Sequence, residues 1–165
     1  MEQAKGFTSA QRASLDERAH DQDRTLSAMH ELEAALSSAA PGREARWQES
    51  VLAGLVALDE ATRSEFDNAQ RPDSLLSDIK RSQPRLRTRV RGLRSQYEQM
   101  RQAIGMLRQE LSEASDDDDS IDFAEIRQRL SWMLTALRHQ RARESDLIYD
   151  AYRDAFDIEL ERDRP

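Results

Sequence analysis

Apolar residues recur along most of this chain in alternating steps of three and four, the period of amphipathic α-helices. A first stripe runs through Leu15, Ala19, Gln22, Leu26, Met29, Glu33 and Leu36 and stops where Pro41 and Gly42 break the chain. A second follows Trp47, Val51, Leu55, Leu58, Thr62, Glu65 or Phe66, and Ala69, and ends before Pro72, which disfavours helix in the residue ahead of it. Leu75, Leu76 and Ile79 predict a short helical turn covering one end of the core. Pro84 then opens a third helix at a first-turn position, where its missing N–H costs little. Leu86, Val90, Leu93, Tyr97, Met100, Ile104, Leu107 and Leu111 make this the most regular stripe in the chain. Asp122 and Glu125 form a capping box for a fourth helix, whose stripe begins Phe123, Ile126, Leu130, Met133, Leu137. The run Ser115–Ser120 is a solvated loop, because adjacent like charges repel, and it lacks the alternating ligands and turn glycine of a calcium loop.

These signals predict helices over about 9–38, 43–70, 84–113 and 122–157, an acidic loop at 114–121, and a frayed segment at 1–8. Four helices with mostly short connections predict one all-α domain over 1–165, an antiparallel up-down-up-down four-helix bundle. Trp47 and Trp132 are read as packing anchors.

The fourth stripe resumes at Leu147, Ile148 and Ala151 only after passing through Gln140 and Glu144. A buried amide or carboxylate without a partner costs roughly 1–3 kcal/mol. Such a break marks a polar network, a ligand or metal site, or the remnant of one. At ~1.5 Å per residue, Tyr97 on the third helix reaches a similar level. The second stripe turns polar at Thr62, Glu65 and Gln70, and the first helix carries His20 and Asp23 in the matching half. The Tyr97 hydroxyl is expected to bond Gln140, Glu144 or Glu65, and Glu144 either pairs with Arg141 or Arg143 or turns to solvent. His30 is placed at the core edge.

Composition narrows the functional classes. With 165 residues, 5 Gly, 4 Pro and 35% charged residues, the chain can bury a core while showing wide polar faces. A net charge of -7 disfavours nucleic acid as the overall partner. The basic stretch from Lys80 to Arg101 reads as a charged face paired with acids on neighbouring helices; its rival is a docking surface for an acidic partner or nucleic acid. No Cys is present, which removes thiolate ligands and nucleophiles, and no stretch approaches the ~20 apolar residues that cross a bilayer. The expectation is a cytoplasmic protein with no membrane partner.

The segments LSAMHELEAAL (26–36), APGREARWQESV (40–51), RPDSLLSDIKRSQPRLRTRVRGL (71–93) and RARESDLIYDAY (141–152) resemble the hemerythrin-like family, or HHE cation-binding domain. The resemblance spans about residues 15–157 and implies a four-helix bundle whose His and carboxylate side chains hold two iron ions. This chain departs from that set. It has three His (His20, His30, His139), Gln96-Tyr97 where the resemblance implies Glu-His on the third helix, and no His on the second helix, which offers Glu65 and Gln70. On the fourth helix His139 lies about 140° from Glu144, whereas Gln140 is nearly on its face.

The candidate remnant site is therefore His139, Glu144, Gln140, Tyr97, Glu65, Asp23 and His20, with no catalytic residue assigned. Two functions follow as expectations. The first is a non-enzymatic regulatory or protein-interaction module, with a degenerate metal-free site refilled by Gln, Glu, Tyr and Arg side chains and no cofactor. The alternative is an iron-binding redox or oxygen-responsive protein with a reduced ligand set.

Overall fold

The computed structural model describes residues 6–38, 42–114 and 122–164. The predicted acidic loop, apart from Ala114, and the break at Pro41 lie outside the described residues. Among the described residues the chain is all-helical, without strands. There are four long helices, α1 (Ser9–Ser37), α2 (Glu44–Gln70), α4 (Arg87–Glu113) and α5 (Phe123–Arg162); the short α3 (Leu75–Ser82) and a single 3-10 turn, Pro84–Leu86, lie between α2 and α4. None of the helices is long and apolar enough to cross a membrane.

Local chemistry explains the ends. Thr8 and Gln11 form a capping box at α1, Ser74 caps α3, and the Asp122 carboxylate accepts from the N–H groups of Ala124 and Glu125 at α5. Of the segment 1–8 expected to fray, residues 1–5 lie outside the described residues; Phe7 packs against Tyr152 and Phe156 with ring centroids 5.5 and 4.9 Å apart. The fourth helix continues beyond residue 157 to Arg162, past a local break at Tyr152 (φ -122°, ψ 24°).

The long helices pack in a closed ring, α1 on α2, α2 on α4, α4 on α5 and α5 on α1, with α3 against α1, α2 and α4. Where α1 meets α2 the approach is close: a Cβ at Gly54 would come 3.1 Å from the Leu32 Cα. The interior is divided in two. One apolar cluster gathers Met29, Leu32, Trp47, Leu55, Leu58, Ile104, Leu130 and Leu137; the other gathers Leu75, Leu76, Ile79, Val90, Leu93, Leu147 and Tyr152. Polar residues hold core positions on α1 (Arg18, Thr25), α2 (Thr62, Glu65) and α5 (Gln140, Glu144), and α4 adds the buried phenol of Tyr97.

Two sequence expectations are corrected here. The buried face of α1 follows Arg18, Asp21, Thr25, Ala28, Met29, Leu32 and Leu36, not the stripe through Ala19, which is exposed. Trp47 is a packing anchor, edge-on to Phe123 at 5.4 Å, but Trp132 is 73% exposed.

Asp78 of α3 ties the far end of the interior together. It accepts from the Tyr152 hydroxyl at 2.5 Å, from Gln11 at 3.2 Å and from Arg81 at 3.2 Å. Burial pushes this carboxyl up, but the bonds from Tyr152, Gln11 and Arg81 outweigh it and leave its pKa below the ordinary 3.8. A depressed carboxyl stabilises the fold above its unfolded pKa, and that contribution fades as pH falls through the folded value. Asp78→Asn should therefore lower the melting temperature at pH 7, and the gap from the wild-type chain should close as pH drops below 3.8 in a thermal-melt series.

Candidate functional site

The polar layer centres on Arg18, a residue absent from the sequence-derived candidates. It projects from α1 into the interior, 7% exposed, and meets Glu65 from α2, Tyr97 from α4 and Glu144 from α5. Its Nε donates to Glu144 Oε1 and its Nη2 to Glu144 Oε2, a side-on bidentate pair. The same Nη2 also lies within bonding distance of Glu65 Oε1, at 2.6 Å, and of the Tyr97 hydroxyl, so its two hydrogens are shared among three acceptors. The guanidinium thus sits between two carboxylates supplied by two helices.

The remaining lone pairs are taken up locally. Thr25 donates to Glu65 Oε2 at 2.5 Å, and Gln22 Nε2 to Glu144 Oε2 at 3.4 Å. The Tyr97 oxygen lies 2.6 Å from Glu144 Oε2 and 3.0 Å from Glu65 Oε1. With one proton to give, it donates to Glu144, the shorter contact. Burial and then the charges of Glu144 and Glu65 raise the Tyr97 pKa far above its usual range, so the phenol stays neutral. For Arg18 burial acts against the charge, yet Glu144, Tyr97 and Glu65 outweigh it and hold the group cationic above the normal arginine range.

Of the candidate residues, Glu65, Tyr97 and Glu144 are brought together here. Gln140 is buried one helical turn from Glu144, but neither its Oε1 nor its Nε2 has a partner, so it is not bonded to Tyr97. It lines a groove of about 480 Å³ between α4 and α5. His139, His20, Asp23 and also His30 are exposed and take no part in the layer. The expected pairing of Glu144 with Arg141 or Arg143 is replaced by Arg18: Arg141 donates instead to the Gln22 carbonyl, and Arg143 has no ion-pair partner among the described residues. The second helix's Gln70 is exposed as well.

A di-iron centre needs several imidazole and carboxylate donors converging on one space. Among the described residues no group of three or more His, Asp or Glu is placed to hold a metal ion. Glu65 and Glu144 do converge, but on the Arg18 guanidinium, which fills the position a cation would take. The residues present do not fit the group that the family resemblance implies.

Other charged groups pair outside this layer, although Asp59 Oδ1 and Arg94 Nε are buried without a partner. Asp59 is buried and held by Arg108 at 2.7 Å and Arg63 at 3.3 Å. Within the basic stretch, Arg85 and Arg89 pair with Asp150 of α5, while Arg94 donates to the Ala69 carbonyl and Ser77.

No family model matches the chain, and neither a curated protein nor a solved structure matches it.

Two substitutions probe the layer. Gln140→Leu should raise unfolding stability by about 1–3 kcal/mol in a denaturant titration, since it removes a buried amide with no partner. Tyr97→Phe should lower it by about 1.5–3 kcal/mol, because a hydrogen bond to a buried carboxylate is lost and the ring is kept.

Proposed function

We propose that this chain is a hemerythrin-like, antiparallel up-down-up-down helical bundle whose metal centre has been replaced by a guanidinium–dicarboxylate–phenol cluster, and that it works as a non-enzymatic regulatory or protein-interaction module. The observation that carries the reading is Arg18, seated between Glu65 and Glu144 with Tyr97 closing the ring. One polar side chain from each long helix meets at a common level, which is how the metal-holding bundles of the resembled family place their ligands. Here the positive charge is supplied by the chain itself.

The order of interhelix contacts supports the up-down arrangement. Glu17, Asp21 and Thr25 of α1 meet Arg71, Asn68 and Glu65, so numbers rise on one side as they fall on the other. Arg89, Tyr97 and Glu110 of α4 likewise meet Asp150, Glu144 and Arg129. The non-enzymatic reading is supported by closure: Glu65 and Glu144 are 2% and 0% exposed, and each is engaged by Arg18. A general acid or base must reach its substrate, and these carboxylates face Arg18, Tyr97, Thr25 and Gln22 inside the bundle.

Elemental analysis of protein purified without a metal-affinity step tests the proposal. After incubation with iron(II) or manganese(II) and desalting, the protein should retain far less than one equivalent of metal. A full equivalent would contradict the proposal and favour the iron-binding alternative.

A further inference from the structure

The outer face of α5 carries a second stripe that the interior does not use. Glu125, Arg129, Trp132, Ala136, His139 and Arg143 follow one another in steps of four, three, four, three and four, so they share one side of the helix. All are exposed except Arg129, which is half-buried. The spacing reads the same in both directions about its midpoint, between Trp132 and Ala136. A two-fold axis at that point would place Trp132 opposite Ala136 of a second copy, Arg129 opposite His139, and Glu125 opposite Arg143, each twice. Glu125 and Arg143 carry opposite charges, and neither has an ion-pair partner among the described residues.

Shape agrees with charge. Trp132 is 73% exposed, the largest apolar side chain left in water, and small Ala136 faces it across the axis. Ala136 and His139 also line the groove of about 480 Å³ that opens between α4 and α5 beside Gln99 and Met100. From Glu125 to Arg143 the stripe is about 27 Å long, and with the flank of α4 the face is about 20 Å wide. A face of that size, roughly 540 Å², is smaller than the standard ~800 Å² per partner and suits a weak, reversible association.

We infer that the α5 face from Glu125 to Arg143 pairs with the same face of a second copy, antiparallel and two-fold, with each Trp132 indole seated against Ala136 at the mouth of the other copy's α4–α5 groove. The two Glu125–Arg143 pairs set the register, since a shift of one turn would bring Arg143 against Arg129. This inference stands on the surface of α5 and is independent of the polar layer.

Sedimentation equilibrium of the full chain at about 100 μM, well above a micromolar Kd, should give twice the chain mass of 19.0 kDa. Trp132→Ala should weaken association by about 30-fold, as for a buried aromatic anchor, while its circular dichroism stays that of the wild type. Glu125→Arg and Arg143→Glu alone should each weaken it by about tenfold, and the double reversal E125R/R143E should restore it. A wild-type chain that sediments at its single mass overturns the proposal. So does a dimer that Trp132→Ala leaves unchanged, or a double reversal no better than its singles.

Discussion

One guanidinium holds the interior of this protein together. Removing Arg18 from water carries a penalty of several kcal/mol, and so does removing each of Glu65 and Glu144. Only their mutual contact makes the burial tolerable. The four groups arrive from four different helices, so the geometry that satisfies Arg18 also sets the rotation and relative height of α1, α2, α4 and α5. An apolar layer would tolerate a slip of one helix along another better than this one, in which displaced partners leave a charge without a counterpart. The layer separates the two apolar clusters, which supply bulk stability without this directional constraint.

The polar layer therefore trades stability for definition. Replacing a buried ion pair with well-packed apolar residues is often neutral or stabilising, whereas removing one member is strongly destabilising. The Gln140 amide and the Arg18 Nη1 are buried without partners. Both are costs that a core designed from apolar residues would not carry. Their presence beside Glu65 and Glu144 accords with a site whose polar residues predate its present packing, which is the proposed history of a lost metal centre.

Much of the fold is legible in the residue pattern, and it fails where hydropathy and burial part company. The stripes of α2 and α4 locate their buried faces because Leu, Val and Ile dominate there, and Pro72 and Pro84 mark the breaks. The α1 stripe is misphased because its inward positions include Arg18, Asp21 and Thr25, which hydropathy assigns to water; weight then shifts to Ala19, which is exposed. Glu65, Tyr97 and Glu144 are recognisable as polar breaks in apolar runs. Arg18 is not, because it breaks no run, and the signal for it is indirect: two inward carboxylates require a cation within reach. Trp132 is misread for the opposite reason, since its apolarity suggests burial and only the three-dimensional packing shows the indole turned outward.

A double-mutant cycle between Arg18 and Glu144 tests the central claim most directly. Arg18→Met, Glu144→Leu and the double variant would be compared with the wild type by denaturant unfolding. Each single change should cost about 3–5 kcal/mol by leaving buried charge unpaired. The double should cost much less than their sum, with a coupling of at least about 2 kcal/mol. Additive losses would contradict the account, because they would mean that the guanidinium and the carboxylate stabilise the fold independently.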